Sequence, residues 1–244
     1  MLTEPAEKAI SGISDKKVEN YKTYWESVTP KTDEDKYWRW VFAFLSVHAS
    51  WESNVRSFKL LRKNRDDWRE SVNELTRLIR VSGVGLHTRR VKGIWEFSTA
   101  FFADPKFWQK KEDETWIQCR DRIQAKCYGL GLAKTAFALE MCYPNENKSV
   151  CLDTHMLQLY GFTKEADKAR ATQPKRYKAM EEHWAAKTEE RDVPSYIARC
   201  LFWDQKQNQE NSRYWSSVLE DEGTGNHKPS VEALAPSIQG NSNG

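Results

Sequence analysis

The sequence predicts an all-α protein, and three observations carry that prediction. Apolar residues recur at helical spacing through most of the chain, in segments that open on acidic capping residues. Punctuation is sparse: 11 Gly and 8 Pro among 244 residues disfavour a many-stranded β fold, which needs a turn about every ten residues. Little of the remaining text alternates apolar and polar residues as a half-buried strand does.

Taken in order, residues 1–20 are polar and are expected to form a loosely ordered N-terminus. Helical text begins at Tyr21, and residues 33–64 read as an acidic cap followed by apolar residues at helical spacing. Residues 66–83 open on Asp66 and Asp67 as candidate N-caps and stop at Gly83, a C-cap signal. In residues 87–104, Val91, Ile94, Trp95, Ser98, Phe101 and Phe102 approximate one stripe. Residues 113–127 lead to Gly129 and Gly131, and residues 133–143 form a short apolar helix. A loop over 144–149 precedes Asp153, which opens the next helix, and residues 175–190 and 193–208 are two more. The last 23 residues, 222–244, are rich in Gly, Asn, Ser and Pro without apolar periodicity, and they read as a disordered tail.

Composition narrows the class further. The longest apolar runs, such as Val41–Leu45, fall far short of the roughly 18 residues of a spanning helix, and the mean hydropathy is −0.80. No membrane span is expected, and the acidic N-terminal segment does not read as a secretory signal. The five cysteines (Cys119, Cys127, Cys142, Cys151 and Cys200) have irregular spacing and no CxxC pair, so they read as buried thiols of a reducing cytoplasm. Neither a metal site nor a cofactor is expected. The net charge of +3 hides local asymmetry. Arg56, Lys59, Arg62, Lys63 and Arg65 form one acid-free run, and Arg77, Arg80, Arg89, Arg90 and Lys92 form another. Such runs are solvated helix faces or phosphate contacts, and two of them favour a nucleic-acid partner.

The chemistry concentrates in residues 128–161. Gly129 and Gly131 form a hairpin between two helices, where the absence of a Cβ lets backbone amides approach a ligand such as a DNA phosphate. Asp153 lies nineteen positions after Lys134 and begins the next helix, where it can serve as a cap or as a carboxylate beside the positive end of the helix dipole.

These residues resemble the helix-hairpin-helix DNA glycosylases typified by endonuclease III. That family carries a hairpin LPGVGxKTA followed about twenty residues on by VDTH; the counterparts here are GLGLAKTA (Gly129–Ala136) and LDTH (Leu152–His155). Phe44–Val55 resembles the family's base-pocket segment LLSAQATDxxVN, with His48 in the place of its Gln, and Val84–Ile94 resembles VGLYxxKAxxI. The resemblance implies a two-lobed all-α fold, with a central helical barrel over about 40–147 and a second lobe from 21–39 and 148–221. It implies a monomer acting on double-stranded DNA, with a modified or damaged base flipped into the interlobe cleft. Localisation is expected to be cytoplasmic, at the nucleoid or in an infected host.

By the same resemblance, Asp153 is the catalytic carboxylate that stabilises oxocarbenium-like charge, and Lys134 is the amine that attacks C1′ in members with lyase activity. Each also has an ordinary reading, as a cap and as an exposed helix lysine. His48, Trp51 and His155 are candidates for the base pocket; His48 divides evenly between pocket and core, and His155 reads first as a packed or helix-terminal histidine. Gly129, Gly131, Thr135, Arg89, Arg90 and Lys92 are candidates for holding the DNA backbone. The endonuclease III cluster needs four closely spaced C-terminal cysteines, which are missing, so no iron–sulfur cluster is expected.

Residues 196–221 are not explained by endonuclease III: Trp203-Asp204 and Arg213-Tyr214-Trp215 are dense in aromatic and hydrogen-bonding groups. This segment resembles bacteriophage glycosylase-like proteins of thymine hypermodification, which implies an alternative activity, transfer of an amino acid or amine to an activated hydroxymethyl pyrimidine. A non-catalytic DNA-binding module is the third reading.

Overall fold

The computed structural model describes residues 2–215 and Val218, and among them every regular element is helical. The tail expected over 222–244 lies outside the described residues.

One group of helices packs around α3 (Asp33–Leu45). Its start is set by a capping box: the Asp35 amide donates to Thr32 Oγ1 at 3.1 Å, and the Thr32 amide donates back to the Asp35 carboxylate. From Tyr37 to Leu45 every residue is buried, as expected of a central helix walled on all sides. α4 (Trp51–Lys63), α7 (His87–Ala103) and α9 (Leu132–Cys142) pack directly on it. α5 (Arg65–Arg69), α6 (Val72–Val81), a short 3-10 turn (Pro105–Trp108) and α8 (Trp116–Gln124) complete this barrel lobe. Aromatic rings fill it, with Tyr37, Trp40, Phe44, Phe101 and Trp108 all within 6.4 Å of the Phe97 ring or of one another.

The second group consists of α1 (Glu4–Ser11), α2 (Asp15–Ser27), α10 (Thr154–Leu159), α11 (Glu165–Ala171), α12 (Pro174–Glu190) and α13 (Ser195–Gln207). The N-terminal segment expected to be loosely ordered is therefore helix, and it buries Ala6, Ile10, Ile13 and Val18 against α10, α12 and α13. Its apolar residues are few but spaced for one face, which a polar average conceals.

Further expectations are corrected. Residues 33–64 are two helices: His48 sits at φ 50° in the left-handed region, and Ser50 caps α4 by accepting from the Ser53 amide. Residues 66–83 are likewise two helices, α5 and α6, with Ser71 capping the second. Asp66 and Asp67 lie in the first turn of α5 and do not cap it. In α7 the buried stripe includes Phe97, whereas Phe102 is half exposed.

The segment after α13 straps the lobes together. Asp204 accepts from Tyr21 Oη and from the amides of Asn211 and Ser212, all at 2.9 Å. Tyr214 stacks on Tyr24 of α2 with ring centroids 3.7 Å apart. Trp215 is buried between α2 and the barrel: it meets Trp25, Phe42 and Phe58, and the Arg39 guanidinium lies 3.7 Å from its ring.

Candidate active site

Asp153 stands where the two lobes meet, and the local sequence explains how it is held. Residues 150–152 lie outside any helix, and each of their amides donates to a buried side chain. Val150 donates to Glu181 at 2.8 Å, Cys151 to Glu140 at 3.0 Å and Leu152 to Tyr177 Oη at 3.0 Å. The next residue caps α10: Asp153 Oδ1 accepts from the amides of His155 and Met156 at 3.0 and 3.1 Å. Its Oδ2 accepts from Trp203 Nε1 at 2.9 Å and from Arg199 Nη1 at 3.5 Å. The side chain remains 21% exposed, which leaves an edge for a ligand. The capping role and a functional role are thus compatible, because one oxygen serves each.

Arg199 reaches Asp153 from a buried ion pair with Glu140 of α9, whose two oxygens take the Arg199 Nε and Nη2 donors. Burial pushes the Glu140 carboxyl up, and the guanidinium opposes that; the carboxylate in turn holds Arg199 firmly charged. A second buried pair, Arg120–Glu181 at 2.9 Å, anchors the same segment, and burial pushes Glu181 up to about 7.

The barrel lobe contributes Lys134 and Trp51. Lys134 Nζ lies 5.3 Å from the Phe137 ring, and the Arg199 guanidinium lies 5.5 Å from the same ring, so Phe137 links the lysine to the Asp153 network. Among the described residues no ion pair joins Lys134 to Asp153. Trp51 packs edge-on to Phe42, and Arg213 of the strap lies over its ring at 5.3 Å and over that of Trp203 at 4.2 Å. His155 meets Trp203 edge-on at 4.7 Å. Asp153, Lys134, Trp51 and His155 therefore form one cluster. His48 does not join it: the residue is exposed in the turn between α3 and α4, and among the described residues no hydrogen bond or ring contact ties it to the cluster.

The expected backbone-binding residues divide. Gly129 has φ +94°, which a side chain would strain, and it packs against α7; a Cβ on Gly131 would meet nothing within 4 Å. The amides of Gly131, Leu132 and Ala133 open α9 without a partner among the described residues. Arg89 and Lys92 are exposed on α7 beside this hairpin, with Lys92 Nζ 4.4 Å from the ring of half-exposed Tyr128.

Arg90 and Thr135 are corrected. Arg90 is buried and donates to the carbonyls of Val47 and Phe44 at the end of α3, and burial pulls its pKa down to about 10. Thr135 is fully buried and its hydroxyl donates to Gly131 O at 3.1 Å. Both build the hairpin's support and present nothing to a ligand. The basic runs are partly spent in the same way: Arg56 donates to Ser82 O, and Arg77 pairs with Glu74.

Glu140 and Arg199 escaped sequence reasoning, although a signal existed. Each is a lone charge in an otherwise apolar helical stretch, which calls for a buried partner of opposite sign. Trp203 follows Arg199 by one helical turn, so α13 aims both at Asp153. All five cysteines are buried, and burial pushes each of these thiols up to about 12. Among the described residues no group of His, Cys, Asp and Glu is arranged to hold a metal ion, and no helix is long and apolar enough to cross a membrane.

The arrangement is that of the two-lobed, all-α helix-hairpin-helix DNA glycosylase fold, with α3 at the centre of its barrel. Two solved structures share it. The 8-oxoguanine DNA glycosylase of Thermotoga maritima is 19% identical, with a TM-score of 0.67 over 85% of this chain and 98% of that one. That of Methanocaldococcus jannaschii is 14% identical, with a TM-score of 0.66 over 85% of this chain and 94% of that one. The sequence matches no protein-family model and no curated protein.

Proposed function

We propose that the protein is a DNA glycosylase that takes a modified or damaged base into the junction between its lobes and cleaves the N-glycosidic bond. The observation that carries this reading is the state of Asp153: its position is set by four donors, two from its own helix and two from α13, and an edge stays open. A carboxylate so fixed can face the sugar as the base leaves and offset the positive charge that develops at C1′. Water attack at C1′ completes hydrolysis. Where the Lys134 amine attacks instead, the glycosidic bond breaks as the Nζ–C1′ bond forms, and β-elimination from the resulting Schiff base cuts the strand.

The fold supports the reading, since both solved neighbours are DNA glycosylases by name. The hairpin face supports a duplex partner: unpaired amides at the start of α9 and the exposed cations Arg89 and Lys92 suit phosphates.

The test is an activity screen on duplexes carrying single base lesions, 8-oxoguanine among them, with nucleoside mass spectrometry and borohydride trapping as readouts. The expected result is free base released by the wild type, a loss of about 100- to 1,000-fold in Asp153→Asn, and a trapped complex that disappears in Lys134→Gln. A retained glycosidic bond with an added amine mass, on DNA bearing an activated hydroxymethyl pyrimidine, would replace this reading by amine transfer. Salt-sensitive duplex binding with no product, indifferent to Asp153→Asn, would leave a binding module.

A further inference from the structure

Arg213 is half-buried and differs from the buried arginines of the fold in its partners. Arg120 pairs with Glu181 and Arg199 with Glu140, and Arg39 and Arg90 each donate to a backbone carbonyl even though Arg39 Nη1 and Arg90 Nε are buried without a partner. Arg213 makes no side-chain hydrogen bond and no ion pair among the described residues, and its Nε is buried without a partner. Its guanidinium instead lies over the rings of Trp203 and Trp51, which come from different lobes. Trp203 is the same residue that donates to Asp153. Burying an N–H donor such as Arg213 Nε without an acceptor costs free energy, and indole faces return only part of it.

Its placement is not loose. The Ser212 amide is held by Asp204, Tyr214 is stacked on Tyr24, and Trp215 is buried in the barrel wall. The backbone on both sides of Arg213 is thereby fixed, and a side chain on a fixed backbone can discriminate between ligands. Burial and the like charge of Arg199 also pull its pKa below the ordinary arginine value, and the Asp153 carboxylate opposes them only in part.

We infer that Arg213 is a specificity-determining residue, and that the target base presents an oxygen-bearing, hydrogen-bond-accepting edge to its guanidinium. A planar base entering beside Asp153 would meet the guanidinium that lies over the two indoles, and with it N–H donors that have no protein acceptor among the described residues. A keto or oxidised base supplies acceptors. A cationic N-alkylated purine such as 7-methylguanine keeps its O6 acceptor, but its positive charge would meet a fixed like charge. The inference rests on the glycosylase reading for the identity of the ligand as a flipped base.

Binding tests it without relying on turnover. Duplexes carrying one 2′-fluoro nucleotide, which resists cleavage, would hold 8-oxoguanine, 5-hydroxymethyluracil, 7-methylguanine or an unmodified base, with a tetrahydrofuran abasic analogue as the base-free control. The expected wild-type order places at least one neutral oxygen-bearing lesion at least tenfold tighter than cationic 7-methylguanine. Arg213→Gln and Arg213→Ala should each weaken that duplex by about 10- to 100-fold while leaving the abasic analogue within twofold, and Arg213→Lys should recover part of the loss. Thermal melts within a few degrees of wild type show that the variants are folded; should Arg213→Ala melt early, Arg213→Gln and Arg213→Lys carry the comparison. Equal weakening on every duplex, no weakening, or a wild-type preference for 7-methylguanine overturns the inference. Base release on the cleavable counterparts is scored separately: absence of release with Arg213-dependent lesion binding defeats the glycosylase reading alone.

Discussion

The indole Nε1 of Trp203 donates to Oδ2 of Asp153 at 2.9 Å, across fifty positions of sequence. This bond and the weaker one from Arg199 bring the catalytic candidate under the control of α13. Trp203→Phe keeps an aromatic ring beside His155 and Arg213 and removes only the donor. Single-turnover base release should fall by about 10- to 100-fold, the worth of one hydrogen bond to a charged group, with little change in melting temperature. An unchanged rate would show that Asp153 does not need the indole.

The Glu140–Arg199 pair is fully buried, so its two charges depend on each other. Glu140→Gln leaves the Arg199 charge without its counter-ion, and urea unfolding should show a loss of about 3–5 kcal/mol. The double substitution Glu140→Leu with Arg199→Met should regain much of that stability but little of the activity, because nothing then steadies Asp153 from behind. Equal losses in both properties would assign the pair a purely structural part.

Glu181 carries a pH signature. Burial raises its carboxyl to about 7 from the ordinary 4.5, so between those values the fold retains a proton that the unfolded chain has released. Stability should therefore decline as pH rises from 4.5 to 7 and level off above, by an amount of order 1–3 kcal/mol. Glu181→Gln can still accept from the Val150 amide and lacks the titration. Urea midpoints of the two proteins should diverge across that window; parallel curves would contradict the assignment.

The two glycines at the hairpin interface should respond differently. A Cβ on Gly93 would stand 2.8 Å from Tyr128 O and 2.9 Å from the Phe44 ring, so Gly93→Ala should cost about 1–3 kcal/mol by wedging α7 from the hairpin. Gly131 has open space around it, so Gly131→Ala should leave the melting temperature within a few degrees. Duplex affinity, measured at fixed salt, should still drop if the neighbouring amides meet a phosphate. Unchanged affinity would remove Gly131 from the DNA-facing set.

Much of the fold was legible because helical periodicity and caps are local signals. Lys134 with its hairpin and Asp153 with its cap could be named from short motifs. The breaks at His48 and Ser71 were missed because a left-handed residue and a one-residue cap interrupt apolar spacing without changing it. Arg90 and Thr135 misled for the opposite reason: residue type suggested exposure, and packing turned both inward. His48, read from its place in a motif, faces outward from a turn that no motif specifies.

The sequence by itself determined the helical class, the position of the hairpin and the carboxylate that follows it, since each depends on residues within a few turns of one another. Only the tertiary structure decided what surrounds that carboxylate. Glu140, Arg199, Trp203, Arg213 and Trp51 come from four separate segments, and their roles exist only once two lobes close on each other and a strap locks across them. Buried charge is the physical reason: a guanidinium's fate depends on which acceptor the fold supplies, and among the described residues the buried Nε of Arg213 has none.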